Sequence, residues 1–304
     1  MEHGVNRLLI TGGSGFAGGN FIRQALGSCD LHVIVRRPET VDARGVHVHA
    51  LDLTDESKLR GAFESARPTA VVHMAAASDI DWCEANQDSA RRVNVGVTAL
   101  LADLSRSFGA KLVFYSTDSI FDGTRGGYSE EDEPGPLNVY ARTKVEAERI
   151  IMRAGAPWVI ARPSLVLGFP VGEGGNSFLW RMARSLRDGQ AVAFPRAEIR
   201  TPVDVITLSR AALELAVGNH QGIYHLSGNQ ALTRFDMARR ICTRLGRALS
   251  LVIDTKPNIA AGRARRPADV SLSNAKARRA LATPLLDFDA ALERVIQDRG
   301  ETQL

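Results

Sequence analysis

Short apolar runs alternate with longer amphipathic segments over roughly the first 168 residues of the chain. Apolar runs of this length, bounded by turn residues, are typical of buried parallel strands, whereas the segments between them have the apolar spacing of helices. Six runs are predicted as strands: residues 7–10, 31–35, 46–50, 70–76 with the turn that ends it, 111–116 and 158–162. This alternation predicts an α/β fold built on a doubly wound parallel sheet.

Beyond Gly168 the alternation loosens, and Gly172, Gly174 and Gly175 mark a loop before a helix predicted from about 177 to 186. We therefore expect a first domain over residues 1–167 that contains the parallel sheet. A smaller domain is predicted over residues 168–304, although segments near 203–226 are expected to return to the main sheet.

The first predicted strand runs directly into a glycine-rich turn and then into a helix. Glycines at 12, 15 and 18 permit a tight turn, close approach of a pyrophosphate to backbone N–H groups, and close packing of the helix on the strand. The amino terminus of the helix adds a partial positive charge. The pattern predicts a dinucleotide-binding domain whose phosphate cradle comprises Gly12, Ser14, Gly15, Phe16 and Gly18.

Arg36 and Arg37 end the second predicted strand. An acidic residue near this position accepts the ribose 2′-hydroxyl of NAD, whereas arginine suits the 2′-phosphate of NADP. The pair therefore favours NADP(H) over NAD(H), the alternative being two solvated arginines in a loop. Asp52, which precedes Leu53, has two interpretations: it accepts from the adenine amino group, or it caps the helix that begins near Asp55.

Tyr140 and Lys144 lie four residues apart in a predicted helix, so their side chains project from the same face. An ammonium beside a phenol is expected to stabilise the phenolate and to lower the pKa of Tyr140 from about 10 toward working pH. The pair then acts as a general acid/base for a substrate oxygen. Taken alone, the spacing also fits a solvated aromatic beside a solvated cation.

Ligands of such sheets bind beyond the carboxyl ends of the strands. The triplet at 116–118 follows the fifth strand, where a hydroxyl can hydrogen-bond the oxygen that Tyr140 protonates. Asn94, in a helix predicted over 87–108, is expected to hold a water or a backbone group that orders the lysine. Taken singly, the triplet is also typical of a helix cap and the asparagine of a helix surface. The predicted catalytic set is Thr117, Tyr140, Lys144 and Asn94.

Composition narrows the possible functions. The chain has 304 residues, 44% of them hydrophobic and 24% charged, which is typical of a globular protein with an ample core. A net charge of +4, with basic residues spread rather than clustered, argues against nucleic-acid binding. No apolar run approaches membrane-spanning length. Three scattered cysteines and seven histidines without paired spacing predict no metal site, and we expect a cytoplasmic protein.

Together these motifs resemble the extended short-chain dehydrogenase/reductase superfamily, from residue 7 to about 168 and more loosely beyond. Within it, the segment 116–123, followed by 136–140, is similar to the dTDP-4-dehydrorhamnose reductases, as is the late segment 266–272. The resemblance implies hydride transfer from NADPH or NADH to the keto group of a nucleotide-linked sugar, and we expect a homodimer.

The resemblance also implies roles for individual residues. Thr117 would polarise the substrate carbonyl, Tyr140 would donate the proton, and Lys144 would bind the nicotinamide ribose and lower the pKa of Tyr140. Further cofactor contacts are implied at the ends of the later strands and turns, at Asp52, Leu53, Met74, Ala75, Ala76, Arg162 and Pro163.

Two departures bear on the substrate. Sugar-nucleotide dehydratases of this superfamily carry a Thr-Asp-Glu triplet, and Ser119 stands at the Glu position here, which argues against elimination. The loop at 77–84 also differs from the reductase pattern. Asp79 faces substrate or caps this loop, and Arg200 binds a diphosphate or pairs with Glu198. The predicted substrate contacts are Ser116, Thr117, Asp118, Asp79, Asn176 and Arg200.

Three functions are consistent with these residues. The first is a carbonyl reductase or alcohol dehydrogenase that acts on a nucleotide-linked sugar. A 4-epimerase with tightly bound NAD would use the same Tyr and Lys, although the two arginines after the second strand argue against it. A regulatory subunit with this fold is the third, but it would have no use for a matched acid/base.

Overall fold

The computed structural model describes residues 5–172, 176–256 and 263–300. Its strands, in chain order, are β1 (Arg7–Thr11), β2 (Asp30–Val35), β3 (His47–Ala50), β4 (Ala70–His73), β5 (Lys111–Tyr115), β6 (Trp158–Pro163), β7 (Val166–Leu167), β8 (Val192–Pro195), β9 (Ile199–Arg200), β10 (Val203–Asp204), β11 (Gly222–Leu226), β12 (Leu232–Thr233) and β13 (Val252–Thr255). Seven of them form one parallel sheet in the order β11-β6-β5-β4-β1-β2-β3. The predicted α/β fold with a parallel central sheet is confirmed.

Helices cover both faces of this sheet, and others pack beside it in the second half of the chain. They are α1 (Phe16–Ala25), α2 (Glu56–Ala66), α3 (Ile80–Ala85), α4 (Gln87–Arg91), α5 (Val97–Phe108), α6 (Val139–Arg153), α7 (Phe178–Arg187), α8 (Val205–Val217), α9 (Arg234–Arg244), α10 (Ala275–Ala280) and α11 (Phe288–Arg299). Apolar side chains of α1 and α8 pack on one face, and those of α2, α5 and α6 pack on the other. Central strands buried on both faces explain the nearly continuous apolar runs of the sequence.

The second half of the chain leaves the sheet and comes back to it. After β6, the pairs β7–β10, β9–β12 and β8–β13 form small two-stranded sheets around a separate apolar cluster that includes α7, α9 and α11. β11 then pairs with β6 in parallel and becomes the outer strand of the central sheet. A domain boundary near residue 167 stays a prediction. Within the described ranges, no helix is both long and apolar enough to cross a membrane.

The helix predicted over 87–108 is present but is interrupted. A π-helical turn, Arg92–Gly96, lies between α4 and α5 and carries Asn94. Single π-helical turns widen a helix locally and are frequent at functional sites. The interruption turns Asn94 into the interior, where 2% of the residue is exposed.

Helix α6 is held on the sheet by a buried ion pair. Arg162 of β6 donates from Nε and Nη2 to the two carboxylate oxygens of Glu148, at 3.0 and 2.7 Å. Its Nη1 lies 3.4 Å from Nε2 of His225, whose Nδ1 lies 3.1 Å from the carbonyl of Tyr128. Burial lowers the pKa of His225 to about 3, so the ring is neutral and accepts from Arg162. The guanidinium is therefore committed to these buried partners, and the cofactor contact at Arg162 stays a prediction.

Removal of the Glu148 charge should destabilise the fold strongly. Glu148→Gln leaves the buried Arg162 guanidinium uncompensated, which costs about 3–5 kcal/mol in comparable pairs. Glu146, two residues earlier on α6, forms an exposed pair with Arg91, so Glu146→Gln should cost no more than about 1 kcal/mol. Urea denaturation of both variants measures this difference. Equal losses would contradict the importance of the buried pair.

Candidate active site

The turn between β1 and α1 is built as a phosphate cradle. Gly12 has φ +78°, and a Cβ there would lie 2.7 Å from the amide nitrogen of Ala75. A Cβ on Gly18 would lie 2.1 Å from the carbonyl oxygen of Gly12. The amide of Gly15 closes the turn by donating to that same oxygen at 2.9 Å. Both close approaches require glycine, as the sequence predicts.

The amino terminus of α1 faces solvent. Among the described residues, no side chain caps the helix at Gly15, and its first turn contains no acidic residue. Ser14 and Gly15 are exposed and Phe16 is half-buried. Uncapped N–H groups at a positive helix end favour an anion. This uncapped, glycine-rich turn fits the pyrophosphate of a dinucleotide.

The carboxyl ends of β2 and β3 lie beside this cradle. Arg36 and Arg37 are exposed after β2, and Asp52 is exposed after β3, ahead of the half-buried Leu53. Asp52 accepts from the backbone and hydroxyl of Thr54, which lowers its pKa together with the smaller effect of Arg36. The N-cap of α2 is Asp55, which accepts from the amide of Lys58 at 3.1 Å. The interpretation of Asp52 as the helix cap is therefore wrong, because Asp55 occupies that position.

Residues 74–76 pass directly over the glycine turn. The amide of Met74 donates to the carbonyl of Thr11, and the amide of Ala75 to its hydroxyl, each at 3.3 Å. The same hydroxyl lies 2.7 Å from Nδ1 of His73, whose Nε2 lies 3.1 Å from the hydroxyl of Thr98. Burial lowers the pKa of His73 to about 3 and keeps it neutral. This bridge holds the half-buried Met74, Ala75 and Ala76 against the cradle.

Asn94 ties the loop after β4 to helix α6. Its Oδ1 accepts from the amide of Ala77 at 2.8 Å, while its Nδ2 donates to the carbonyl of Ala77 and to the hydroxyl of Thr143, both at 3.0 Å. Thr143 immediately precedes Lys144 on α6. Asn94 thus holds the backbone of Ala77 and the hydroxyl of Thr143, and its role in ordering the lysine stays a prediction.

Lys144 is buried beneath the predicted active site, with 2% of the residue exposed. Its Nζ donates to the carbonyl of Tyr115 at 2.6 Å and lies 4.3 Å from the ring centroid of Phe114. Burial lowers the pKa of Lys144 to about 7, although Glu148 opposes the shift. The ammonium is therefore held at the carboxyl end of β5 by the backbone and by an aromatic face.

Tyr140 is half-buried one turn before Lys144, next to Thr117. Burial raises the pKa of Tyr140 above its usual value, and the hydrogen bond with Thr117 opposes this only in part. The expectation that Lys144 lowers the pKa of Tyr140 is wrong for the protein without ligands. Desolvation of the phenolate dominates, and the ammonium is directed to the carbonyl of Tyr115.

Asp118 lies at the centre of a buried polar network beside Thr117. Its carboxylate accepts from Ser164 at 2.9 Å and lies 3.9 Å from Nε of Arg200. Burial raises the pKa of Asp118, with Arg200 opposing. The hydroxyl of Ser116, also buried, has no hydrogen-bond partner within the described part of the chain. A buried unsatisfied hydroxyl next to Thr117 is a group that a bound ligand can satisfy.

Arg200 does not make the predicted pair with Glu198. Its guanidinium donates to the carbonyls of Ala268 and Pro267, at 2.8 and 3.1 Å, and faces Asp118. Glu198 lies 3.8 Å from Arg234 instead. The predicted pairing with Glu198 is therefore wrong, and a diphosphate contact at Arg200, which is 7% exposed, stays a prediction.

The remaining predicted substrate residues lie in surface positions. Asp79 caps α3 by accepting from the amide of Trp82 at 2.9 Å, which agrees with the interpretation as a loop cap. Trp82 is 42% exposed. Asn176 is exposed and accepts from Arg181. Asn176 therefore lies outside the polar network around Asp118. Thr117, Tyr140 and Lys144, by contrast, lie together beyond β5.

One contact near the site could not be predicted from the sequence, because its two residues are far apart along the chain. Arg266 donates to both carboxylate oxygens of Asp81, at 2.7 and 2.8 Å. The pair joins α3 to the late segment of the chain across 185 positions. Asn138, the N-cap of α6, strengthens the same connection by donating to the carbonyl of Arg265 at 2.9 Å. These contacts fix the loop at 77–84 next to the amino terminus of α6.

A parallel sheet with a glycine cradle after its first strand, and Tyr140 and Lys144 beyond its fifth, defines an extended short-chain dehydrogenase/reductase. The family model described as the RmlD substrate binding domain matches residues 6–300. The chain belongs to this family, as the sequence predicts.

Individual relatives agree with this assignment. The probable low-salt glycan biosynthesis reductase Agl14 of Haloferax volcanii is 30% identical, over 83% of this chain and 85% of the relative. Methionine adenosyltransferase 2 subunit beta of Danio rerio is 30% identical, over 73% of this chain and 69% of the relative. The crystal structure of dTDP-4-dehydrorhamnose reductase from Bacillus anthracis in complex with NADP matches with a TM-score of 0.83 and 25% sequence identity. The match covers 97% of this chain and 99% of that one. With its family and reductase relatives, the chain is an oxidoreductase of the short-chain dehydrogenase/reductase type.

Lys144 should make the stability of the protein depend on pH above neutrality. Its pKa is about 7 in the folded chain and about 10.4 in an unfolded one, so the unfolded state binds more protons between these values and stability rises with pH. From pH 7 to pH 9, the wild type should gain about 2 kcal/mol relative to Lys144→Met. Chemical denaturation at both pH values measures the gain. The exposed Lys58 supplies the control, since Lys58→Met should follow the wild type.

Proposed function

We propose that the protein is an NAD(P)-dependent carbonyl reductase or alcohol dehydrogenase that transfers hydride to a keto group of a nucleotide-linked deoxysugar. The observation that carries the proposal is the grouping of Thr117, Tyr140 and buried Lys144 at the carboxyl end of β5. The glycine cradle lies at the same edge of the sheet, two strands away. A hydride donor in that cradle and a proton donor on α6 would meet at this edge.

Each member of the group has a distinct role in this proposal. Bound at the cradle, a nicotinamide dinucleotide supplies the hydride. Thr117 positions the substrate oxygen, and Tyr140 gives its phenolic proton to that oxygen as negative charge develops on it. The raised pKa of ligand-free Tyr140 keeps the phenol protonated, which is the state that a reductase needs at the start of a turnover. Lys144, one turn along the same helix face, would bind the nicotinamide ribose.

In this mechanism Asn94 contacts neither the substrate nor the cofactor, and instead positions the groups around them. By holding Ala77 and Thr143 together, it keeps the loop after β4 and helix α6 in register. Met74, Ala75 and Ala76 would contact the cofactor with their backbone beside Gly12. At the other end of the cofactor, Arg36 and Arg37 are free at the surface to meet a 2′-phosphate, which supports NADP(H).

The substrate class is inferred from the site and its relatives. The similar Bacillus anthracis protein is a dTDP-4-dehydrorhamnose reductase solved with NADP. In this chain, Ser116 offers an unsatisfied buried hydroxyl beside Thr117, and Asp118 is held rigidly by Ser164 and Arg200. A sugar carbonyl flanked by hydroxyl groups suits a site lined by such polar groups. Oxidation of NADPH against a panel of keto-sugar nucleotides, beside simple ketones and aldehydes, tests the class directly.

Specific observations would favour two other functions. A 4-epimerase would use Tyr140 and Lys144 for reversible proton transfer, and NAD that copurifies with the protein would favour it. The relative from Danio rerio is a subunit of methionine adenosyltransferase, so a chain that binds cofactor but turns over none of the panel would favour a regulatory role. Cytoplasmic location and a homodimer stay predictions.

Tyr140→Phe should abolish turnover and leave cofactor affinity nearly intact. The change removes one hydroxyl, and loss of a positioned proton donor costs about 10²–10⁴-fold in rate. The comparison is kcat with the best keto-sugar of the panel, alongside NADPH affinity by fluorescence titration. Tyr224→Phe, on β11 and outside the site, is the matched control and should retain wild-type rates. Wild-type turnover by Tyr140→Phe would rule out this role of the phenol.

Arg36→Ala should weaken NADP binding more than NAD binding. The arginine contributes a charge-assisted hydrogen bond to the 2′-phosphate, a bond that contributes about 1.5–3 kcal/mol where it forms, or roughly tenfold or more in affinity. Arg44→Ala serves as control, because Arg44 is equally exposed in the following loop but paired with Asp42. Titrations with both cofactors measure the ratio. An equal loss for NADP and NAD would remove the basis for NADP preference.

A further inference from the structure

Four polar side chains gather along β2 and β3, from Asp30 at the amino end of β2 to His49 near the carboxyl end of β3. In the parallel pairing, His32 lies opposite His47, and Ile34 lies opposite His49. Residues paired across parallel strands project from the same face. Asp30, at the start of β2, completes the cluster. The sequence predicted no metal site because no two histidines have metal-ligand spacing along the chain, but strand pairing supplies the proximity that spacing lacks.

The distances in this cluster match those around a small divalent ion. Nε2 of His32 lies 3.6 Å from Oδ2 of Asp30, and Nε2 of His47 lies 3.3 Å from Oδ1 of the same carboxylate. One ligand atom from each of the three residues lies within 4.8 Å of the others. Tetrahedral zinc, with bonds of about 2.0–2.2 Å to nitrogen and oxygen, separates neighbouring ligand atoms by about 3.3 Å. If the widest of these ligand-atom separations, at most 4.8 Å, contracted to about 3.3 Å, the three atoms would have the spacing of tetrahedral zinc ligands.

His49 orients His32 in the way that metal ligands are commonly oriented. Nδ1 of His32 lies 3.0 Å from Nε2 of His49. In the tautomer with the proton on Nδ1, His32 donates to His49, and Nε2 keeps its lone pair toward Asp30 for a metal ion. The ring of His32 also stacks with those of His47 and His49, at centroid distances of 4.6 and 5.3 Å. These contacts fix the position of the buried ring, and a bound ion would select that tautomer.

We propose that Asp30, His32 and His47 bind a divalent transition-metal ion, Zn²⁺ or a similar ion such as Ni²⁺, with one coordination position open to solvent. One carboxylate with two imidazoles is a ligand set for this class of ion. His32 is buried, while the side chain of His47 is 66% exposed, which provides the entry path.

The ion would act on the fold rather than on the reacting atoms. β3 is the outer strand of the sheet, held on one side by β2 alone. A metal bridge between β2 and β3 would clamp that strand, whose carboxyl end leads to Asp52 at the predicted cofactor site. Because the ion binds only the folded arrangement, it would also raise the stability of the chain by mass action.

The test is calorimetric titration of ZnCl₂ into the full chain, stripped with a chelator and free of any affinity tag. One equivalent should bind to the wild type. His47→Ala removes an exposed ligand without disturbing the core, and we expect its affinity to fall by more than about 100-fold, beyond the 10–100-fold typical of an outer-shell partner. The zinc affinity of His49→Gln should fall by about 10–100-fold, the range for an outer-shell partner. His220→Ala, which removes a histidine outside the cluster, should bind as the wild type does.

A parallel readout is thermal unfolding with and without the ion. ZnCl₂ should raise the unfolding temperature of the wild type and of His220→Ala, and leave that of His47→Ala unchanged. Equal zinc affinity in the wild type and in His47→Ala would show adventitious binding and overturn the proposal. Failure of the wild type to bind zinc or nickel would overturn it as well, and would leave the cluster as a stack of hydrogen-bonded histidines.

Discussion

The attachment of helix α6 to the sheet is the constraint on which the candidate site depends. Three buried polar contacts make it: Glu148 with Arg162 of β6, Lys144 with the carbonyl that ends β5, and Thr143 with Asn94 of the π-helical turn. Each contact satisfies groups that would be costly to bury alone. Tyr140 lies one turn before Lys144 and hydrogen-bonds Thr117, so its position beyond β5 follows from the attachment of this helix.

Burial acts in opposite directions on the two ionisable groups of this helix. It lowers the pKa of Lys144 to about 7 and raises that of Tyr140, since in each case the neutral form is favoured. The ligand-free site therefore contains a protonated phenol above a lysine poised to titrate near neutrality. A nicotinamide ribose and a substrate oxygen would provide further polar partners for both groups, so ligand binding and proton transfer would be coupled.

The two ends of the central sheet have separate chemistry. At the carboxyl ends, the glycine turn, residues 74–76 and the β5–α6 group lie at the same edge of the sheet. Toward the amino ends of β2 and β3, Asp30, His32 and His47 form a compact cluster with His49 beside it. β2 and β3 connect the two ends, because Arg36 and Asp52 follow the same strands that begin with the cluster.

The sequence alone was sufficient for the features that depend on neighbours along the chain. The apolar runs, the glycines that a Cβ would obstruct, and the four-residue spacing of Tyr140 and Lys144 all have local causes, and these predicted the fold and the grouping at β5. Tertiary structure decided the partners. Arg200 faces Asp118 rather than Glu198, and His32 meets His47. The sign of the Tyr140 pKa shift also depends on burial. Burial and long-range pairing arise only when distant segments pack, and sequence spacing contains no record of that contact.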